Sequence, residues 1–187
     1  MLCIKREIIK FLIFGFAFLI SIFNFLINIK MKNRIILWLN LSMWFLLFGG
    51  MLFDMLVVAV NWKSGDIADI QHWHYYFRIT NPGDFFYVKF GVLLFAIVSL
   101  LAYWKSSKAV RLLLTLGLIV IFADMAFTML FFLPINIYMD GSNLDPVLTQ
   151  QKANSWFTTN YLRILLDFVG LYFAARALHK SYVETYV

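Results

Sequence analysis

Cysteine is nearly absent from this chain: Cys3 is the only one in 187 residues. A single thiol excludes an intrachain disulfide, a C-x-x-C redox pair and a thiolate metal cage. Charge is also scarce. Asp, Glu, Lys and Arg together make up 14% of the sequence, too little polar surface for a water-soluble domain of this length. Proline occurs three times, which leaves long stretches without a helix breaker. The alternation of polar and apolar residues that a membrane β-barrel needs is missing. So are internal repeats and low-complexity tracts. Apolar bulk is what remains. Hydrophobic residues make up 63%, Phe alone numbers 21, and the phenylalanines read mainly as lipid-facing. Mean hydropathy is +0.80. The formal net charge of +6 comes from bases at the ends of apolar runs, not from one patch. It reads as a topology signal and not as a nucleic-acid surface.

The expected fold is all-α, a transmembrane four-helix bundle running up-down-up-down. Four stretches, Ile35–Val60, Phe85–Tyr103, Leu112–Leu133 and Tyr161–Leu178, are each near the roughly 20 residues that cross a bilayer. Without water for the backbone, such stretches must be helices. Lys30, Lys32 and Arg34 precede the first; Lys105, Lys108 and Arg111 link the second and third; Arg176, His179 and Lys180 mark the end of the fourth. An even number of spans separates these clusters, so they share one side, cytoplasmic by the positive-inside rule. The segments Asn61–Asp84 and Pro134–Thr159 then face outward, with Asp66, Asp69, Asp84, Asp140 and Asp145 among few bases. A bacterial inner membrane is the expected host, although a eukaryotic endomembrane carries the same signal. Membrane lipids are the expected surroundings, and a homo-oligomer is compatible.

Residues 1–30 stand apart from the four-span region 31–187. Phe11–Ile29 is long enough to span, yet bases flank it on both sides: Lys5, Arg6 and Lys10 before, Lys30, Lys32 and Arg34 after. It reads as an additional N-terminal hydrophobic helix: a fifth span, a peripheral interface helix, or an extension ahead of Met31. No small-residue cleavage site follows it, which argues against a removed signal peptide.

Charges inside the spans are the best pointer to a site. Each costs roughly 2.5–3.5 kcal/mol on insertion scales and usually faces a bundle interior. Asp54, Asp124, Arg163 and Asp167 are such residues. Three carboxylates against one arginine leave a surplus of two. An unpaired carboxyl in apolar surroundings tends to hold a proton. In that form it can act as a general acid, a role that suits Asp124. An ion-pair network that merely fixes helix order is the competing reading. Trp156, Asn160, Arg163 and Asp167 follow spacings of 4, 3 and 4, so they form one stripe if the last helix begins by Trp156. Gly49 and Gly50 precede Asp54, with Gly50 on its face, and let a helix or ligand approach closely.

The outward segments hold weaker signals. His72 and His74 could bind a metal on a strand but diverge on a helix. The aromatic run around them reads as an interfacial belt or a lid. Asn81-Pro82-Gly83-Asp84 predicts a turn into the second span. Pro134 is expected to end the third span. Asn136 is expected to satisfy freed backbone groups or contact a ligand. Asp145-Pro146 is expected to open a short helix.

Leu133-Pro134-Ile135-Asn136, followed by Trp156-x-x-x-Asn160-x-x-Arg163, resembles the DUF1772 family of four-span membrane proteins, which includes the fungal anthrone oxygenases. The Gly49-Gly50 region is similar to that family's glycine-bearing first helix. The resemblance covers about residues 35–180. Pro134, Asn136, Trp156 and Arg163 fit the pattern. Asn160 departs from it, standing where the family has a histidine that serves as the natural general base. Asparagine takes up no proton at neutral pH.

Three function classes follow. The resemblance implies cofactor-independent oxygenase-like chemistry on a small apolar or aromatic molecule. Asn160 and Arg163 would then stabilise an enolate-like anion, and Asp54 or Asp124 would act as base. Asp167 completes the polar stripe, and Asn136, Trp156 and Gly50 would contact the ligand. No cofactor is expected. The second class is a structural or accessory subunit whose charges fix assembly. The third is a small transporter for protons or a lipophilic cation.

Overall fold

The computed structural model describes residues 32–63, 66–76, 79, 82–141 and 143–183, and every regular element among them is helical. The N-terminal hydrophobic segment lies outside the described residues. Three stretches, Arg34–Trp62, Phe85–Ala102 and Lys108–Met139, are long and apolar enough to cross a membrane. The chain is therefore a membrane-embedded, multi-pass protein.

The first stretch comprises α1 (Lys32–Phe53), a π turn (Asp54–Val58) and α2 (Ala59–Trp62) without interruption. A short helix, α3 (Ile67–Tyr76), follows. Asp66 starts it, its side chain accepting from the Ala68 N–H at 2.7 Å. A 3-10 helix, Pro82–Tyr87, then leads into α4 (Val88–Ala102). Ser107 caps α5 (Lys108–Phe127) through the Val110 N–H. A second π turn (Thr128–Phe132) joins α5 to α6 (Leu133–Met139). The last helix, α7 (Pro146–Val183), runs for 38 residues and contains the whole of the expected fourth stretch.

Asp145 holds the start of α7. Its Oδ1 accepts from the Leu148 N–H at 2.8 Å, and Pro146 occupies the first turn, where no N–H is missed. The helix it opens is long, not short. Asp145→Ala should cost about 1 kcal/mol, as helix caps generally do. The expected result is a lower thermal midpoint in detergent, with faster amide exchange confined to the first turn of α7; unchanged exchange there would discount the cap.

Two expectations need correction. Pro134 does not end its helix. A proline ring normally clashes with the carbonyl one turn back. Here the Leu133 N–H reaches the Thr128 carbonyl five residues back, and this widened turn closes one residue before the proline. The segments expected to face outward also hold more regular structure than a turn and a short helix. Ile70 on α3 is fully buried, and α6 and the first turns of α7 occupy much of the other segment.

α1 packs against α4 and α7, and α5 packs against the same two helices. Two apolar cores lie along these contacts. One includes Leu37, Leu41, Trp44, Val92, Leu114 and Leu171. The other includes Val58, Trp62, Ile70, Phe132, Met139 and Trp156. Along α1, α5 and α7 alike, the buried ionisable residues fall between the two sets, forming a polar layer with apolar packing on both sides.

Candidate functional site

The layer draws from every long helix. Asp54 opens the first π turn, and its carbonyl accepts from the Ala59 N–H five residues on. Lys89 comes from the first turn of α4, and Asp124 from the last turn of α5. Asn160, Arg163 and Asp167 come from α7. All six are at most 5% exposed. The α7 stripe is as its spacing predicts: Trp156, Asn160, Arg163 and Asp167 are all buried.

Two linked groupings make up the layer. In the first, Asn160 stands between opposite charges. Its amide donates to Asp54 Oδ2 at 3.2 Å, and its carbonyl accepts from Arg163 at 3.3 Å. The guanidinium itself lies 3.9 Å from Asp54 Oδ2. It lies over two aromatic rings, with the centroids of Phe132 at 4.2 Å and Phe86 at 4.9 Å from the guanidinium carbon. Arg163 Nε finds no acceptor among the described residues.

In the second grouping, the Lys89 ammonium lies 2.5 Å from Asp124 Oδ2 and donates to the Thr128 hydroxyl at 2.7 Å. Thr128 is the first residue of the second π turn, so both π turns border the layer. Asp124 is thus a paired carboxylate, not the surplus one expected from the sequence. The group left over is Asp167, fully buried, with no hydrogen-bond partner for either oxygen among the described residues. Asp124, Lys89 and Arg163 are its charged neighbours.

Lys89 also corrects the charge count. Three carboxylates face two cations, so the layer carries one negative charge when every group is ionised. The signal was present in the sequence, a lysine inside the stretch that begins at Phe85. Only four residues from the end of that stretch, it resembles a side chain that reaches out to the interface. In the folded protein it turns inward.

A groove of about 400 Å³ approaches the layer from the flank of α1. Phe45, Leu46, Phe53, Phe85 and Phe86 form its walls, and Asp54 is the one ionisable lining residue among the described residues. Gly49 and Gly50 form part of its floor. A Cβ on Gly49 would meet nothing within 4 Å, whereas one on Gly50 would collide with the Phe85 ring. Gly50 therefore seats Phe85 at the groove.

Other expected contributors lie elsewhere. Asn136 accepts from the Trp156 indole N–H at 2.9 Å, so the two pair with each other within the second apolar core. Neither lines the groove. His72 and His74 sit on α3, a helix, and diverge. His72 is exposed; His74 lies 3.1 Å from Asp140 and its ring packs on Trp62. No group of three metal-ligating side chains occurs among the described residues. Phe86, Phe132 and Thr128, which surround the cations, carry no mark in the sequence that separates them from other residues of their type. Compared with known protein families, curated proteins and solved structures, the chain matches none.

Proposed function

We propose that this chain is a four-span, up-down-up-down membrane bundle that binds a small apolar or aromatic molecule through the groove at Gly49 and Gly50. The observation that carries this reading is Asp54. It is at once a lining residue of an aromatic-walled groove and the anchor of the buried Asp54–Asn160–Arg163 chain. An apolar ligand with one polar end, such as a phenol or a ketone, suits an aromatic channel that terminates at a carboxylate. The basic clusters near Arg34, Arg111 and Lys180 support an outer face at the opposite end of the bundle, and a bacterial inner membrane fits that pattern.

The resemblance to the anthrone oxygenases adds an activity to this reading. With Asn160 in place of the expected histidine, Asp54 would take the substrate's proton. The Arg163 Nε–H, which has no other acceptor among the described residues, would stabilise the resulting enolate-like anion. Molecular oxygen would be the oxidant.

Anthrone serves as the probe. Wild-type protein in mild detergent should retain it in equilibrium dialysis. Gly49→Leu, whose Cβ meets nothing within 4 Å and whose side chain would occupy the groove, should weaken retention at least tenfold, about 1.4 kcal/mol. Asp54→Asn should abolish oxygen uptake. Retention unchanged in Gly49→Leu would remove the groove from the proposal; retention without oxygen uptake would leave a binder. A structural role is favoured by one separate observation, the Lys89–Asp124 pair, which lies outside the lining of the groove. That reading expects misassembly, with no ligand effect, when the layer is neutralised.

A further inference from the structure

With every group ionised, the described side chains of the charge layer do not sum to neutrality. Lys89 is committed to Asp124 and Thr128, and Arg163 to Asn160 and Asp54. Asp167 remains, with both oxygens buried and without a hydrogen-bond donor among the described residues. A bare carboxylate at this depth is among the most expensive groups a protein can bury. Something positive must accompany it. A metal ion would require several oxygen or nitrogen ligands around one point, and no suitable group of three occurs among the described residues. A proton requires only one oxygen.

We propose that Asp167 is a proton-binding site: the resting protein carries one proton in the charge layer, held on the Asp167 carboxyl. Asp124 from α5 and Lys89 from α4 are its charged neighbours on the other helices, and Arg163 is the neighbour on α7 itself. On the α1 side the ionisable group of the layer is Asp54, which faces Arg163. The proton brings the five charges to formal neutrality. It is released when a negative charge elsewhere in the layer is removed, since Lys89 and Arg163 then balance the two remaining carboxylates. The inference rests on the layer alone and stands whether or not the groove binds a ligand.

Infrared spectroscopy of the detergent-solubilised protein at neutral pH tests it. A protonated carboxylic acid has a carbonyl stretch distinct from that of a carboxylate and shifts in heavy water. Wild type should show one such band. Asp167→Asn, neutral and nearly isosteric, should fold and lose the band. Asp124→Asn should also lose it, although Asp167 is intact, because the layer no longer needs the proton. That second loss separates a charge-balanced site from a carboxyl that is protonated merely by burial. A wild type without the band, or a band that persists in Asp167→Asn, overturns the proposal. So does a band that disappears when sodium is added at constant pH, which would assign the place to a cation.

Discussion

Lys89→Met should be among the most damaging single substitutions in the membrane-spanning helices, costing about 3–5 kcal/mol, the range found when one partner of a buried ion pair is removed. The methionine keeps most of the volume but withdraws the charge at 2.5 Å from Asp124 and the hydrogen bond to Thr128. Arg163 would then be the one cation left in the layer to balance the carboxylates of Asp54 and Asp124. The measurement is thermal or denaturant unfolding in detergent, with the yield of membrane-inserted protein as a second readout. Replacing both partners, Lys89→Met with Asp124→Leu, should recover most of the loss, because an apolar pair is often as good as a buried ion pair. Wild-type stability in the single variant would mean that Lys89 reaches the interface and leaves Asp124 without a cation.

Gly170→Ala should be nearly as damaging for a purely steric reason. A Cβ at position 170 would fall inside the contact distance of the Trp44 ring atoms Cη2, Cζ3 and Cζ2. Trp44 is 0% exposed in the first apolar core, where a large ring has no room to withdraw. Overpacking of a core typically costs about 1–3 kcal/mol, and a trapped indole belongs at the upper end or beyond. Within the membrane this close approach matters more than hydrophobic transfer, since lipid is as apolar as the core. The other glycines supply controls. Gly50→Ala meets the Phe85 ring, which is 44% exposed and can turn away. Gly49→Ala meets nothing. The expected order of thermal midpoints is therefore Gly49→Ala, then Gly50→Ala, then Gly170→Ala far below. Trp44→Phe combined with Gly170→Ala should show strong coupling, the double variant losing less than the two singles together. Additive losses would mean that ring and glycine are not in contact.

Much of the charge layer was legible in the sequence. Asp54, Asp124, Arg163 and Asp167 were conspicuous because any charge within an apolar run is conspicuous, and all four are buried together. The stripe from Trp156 to Asp167 was legible because helical periodicity is a property of neighbours along the chain. The partners were not. Asp124 looked like the surplus acid, since nothing local to it is basic; its cation, Lys89, stands on a different helix, 35 residues earlier in the chain. Asn160 looked like a partner of Arg163 in stabilising an anion, whereas its amide and carbonyl are engaged by Asp54 and Arg163. Pro134 looked like a stop because the π turn that accommodates it has no sequence signature of its own.

Composition and hydropathy by themselves determined the class of this protein. Whether a segment belongs in lipid depends on its own side chains and length, summed locally, and that holds in any fold. Periodicity likewise determined which side chains of α7 share a face. Only the tertiary structure decided which charges neutralise one another, that Lys89 turns inward, that Asp167 is the acid left over, and that Trp44 closes on Gly170. Those outcomes depend on distances between helices far apart in the chain. A contact energy falls off over a few ångströms, and no local pattern encodes that separation.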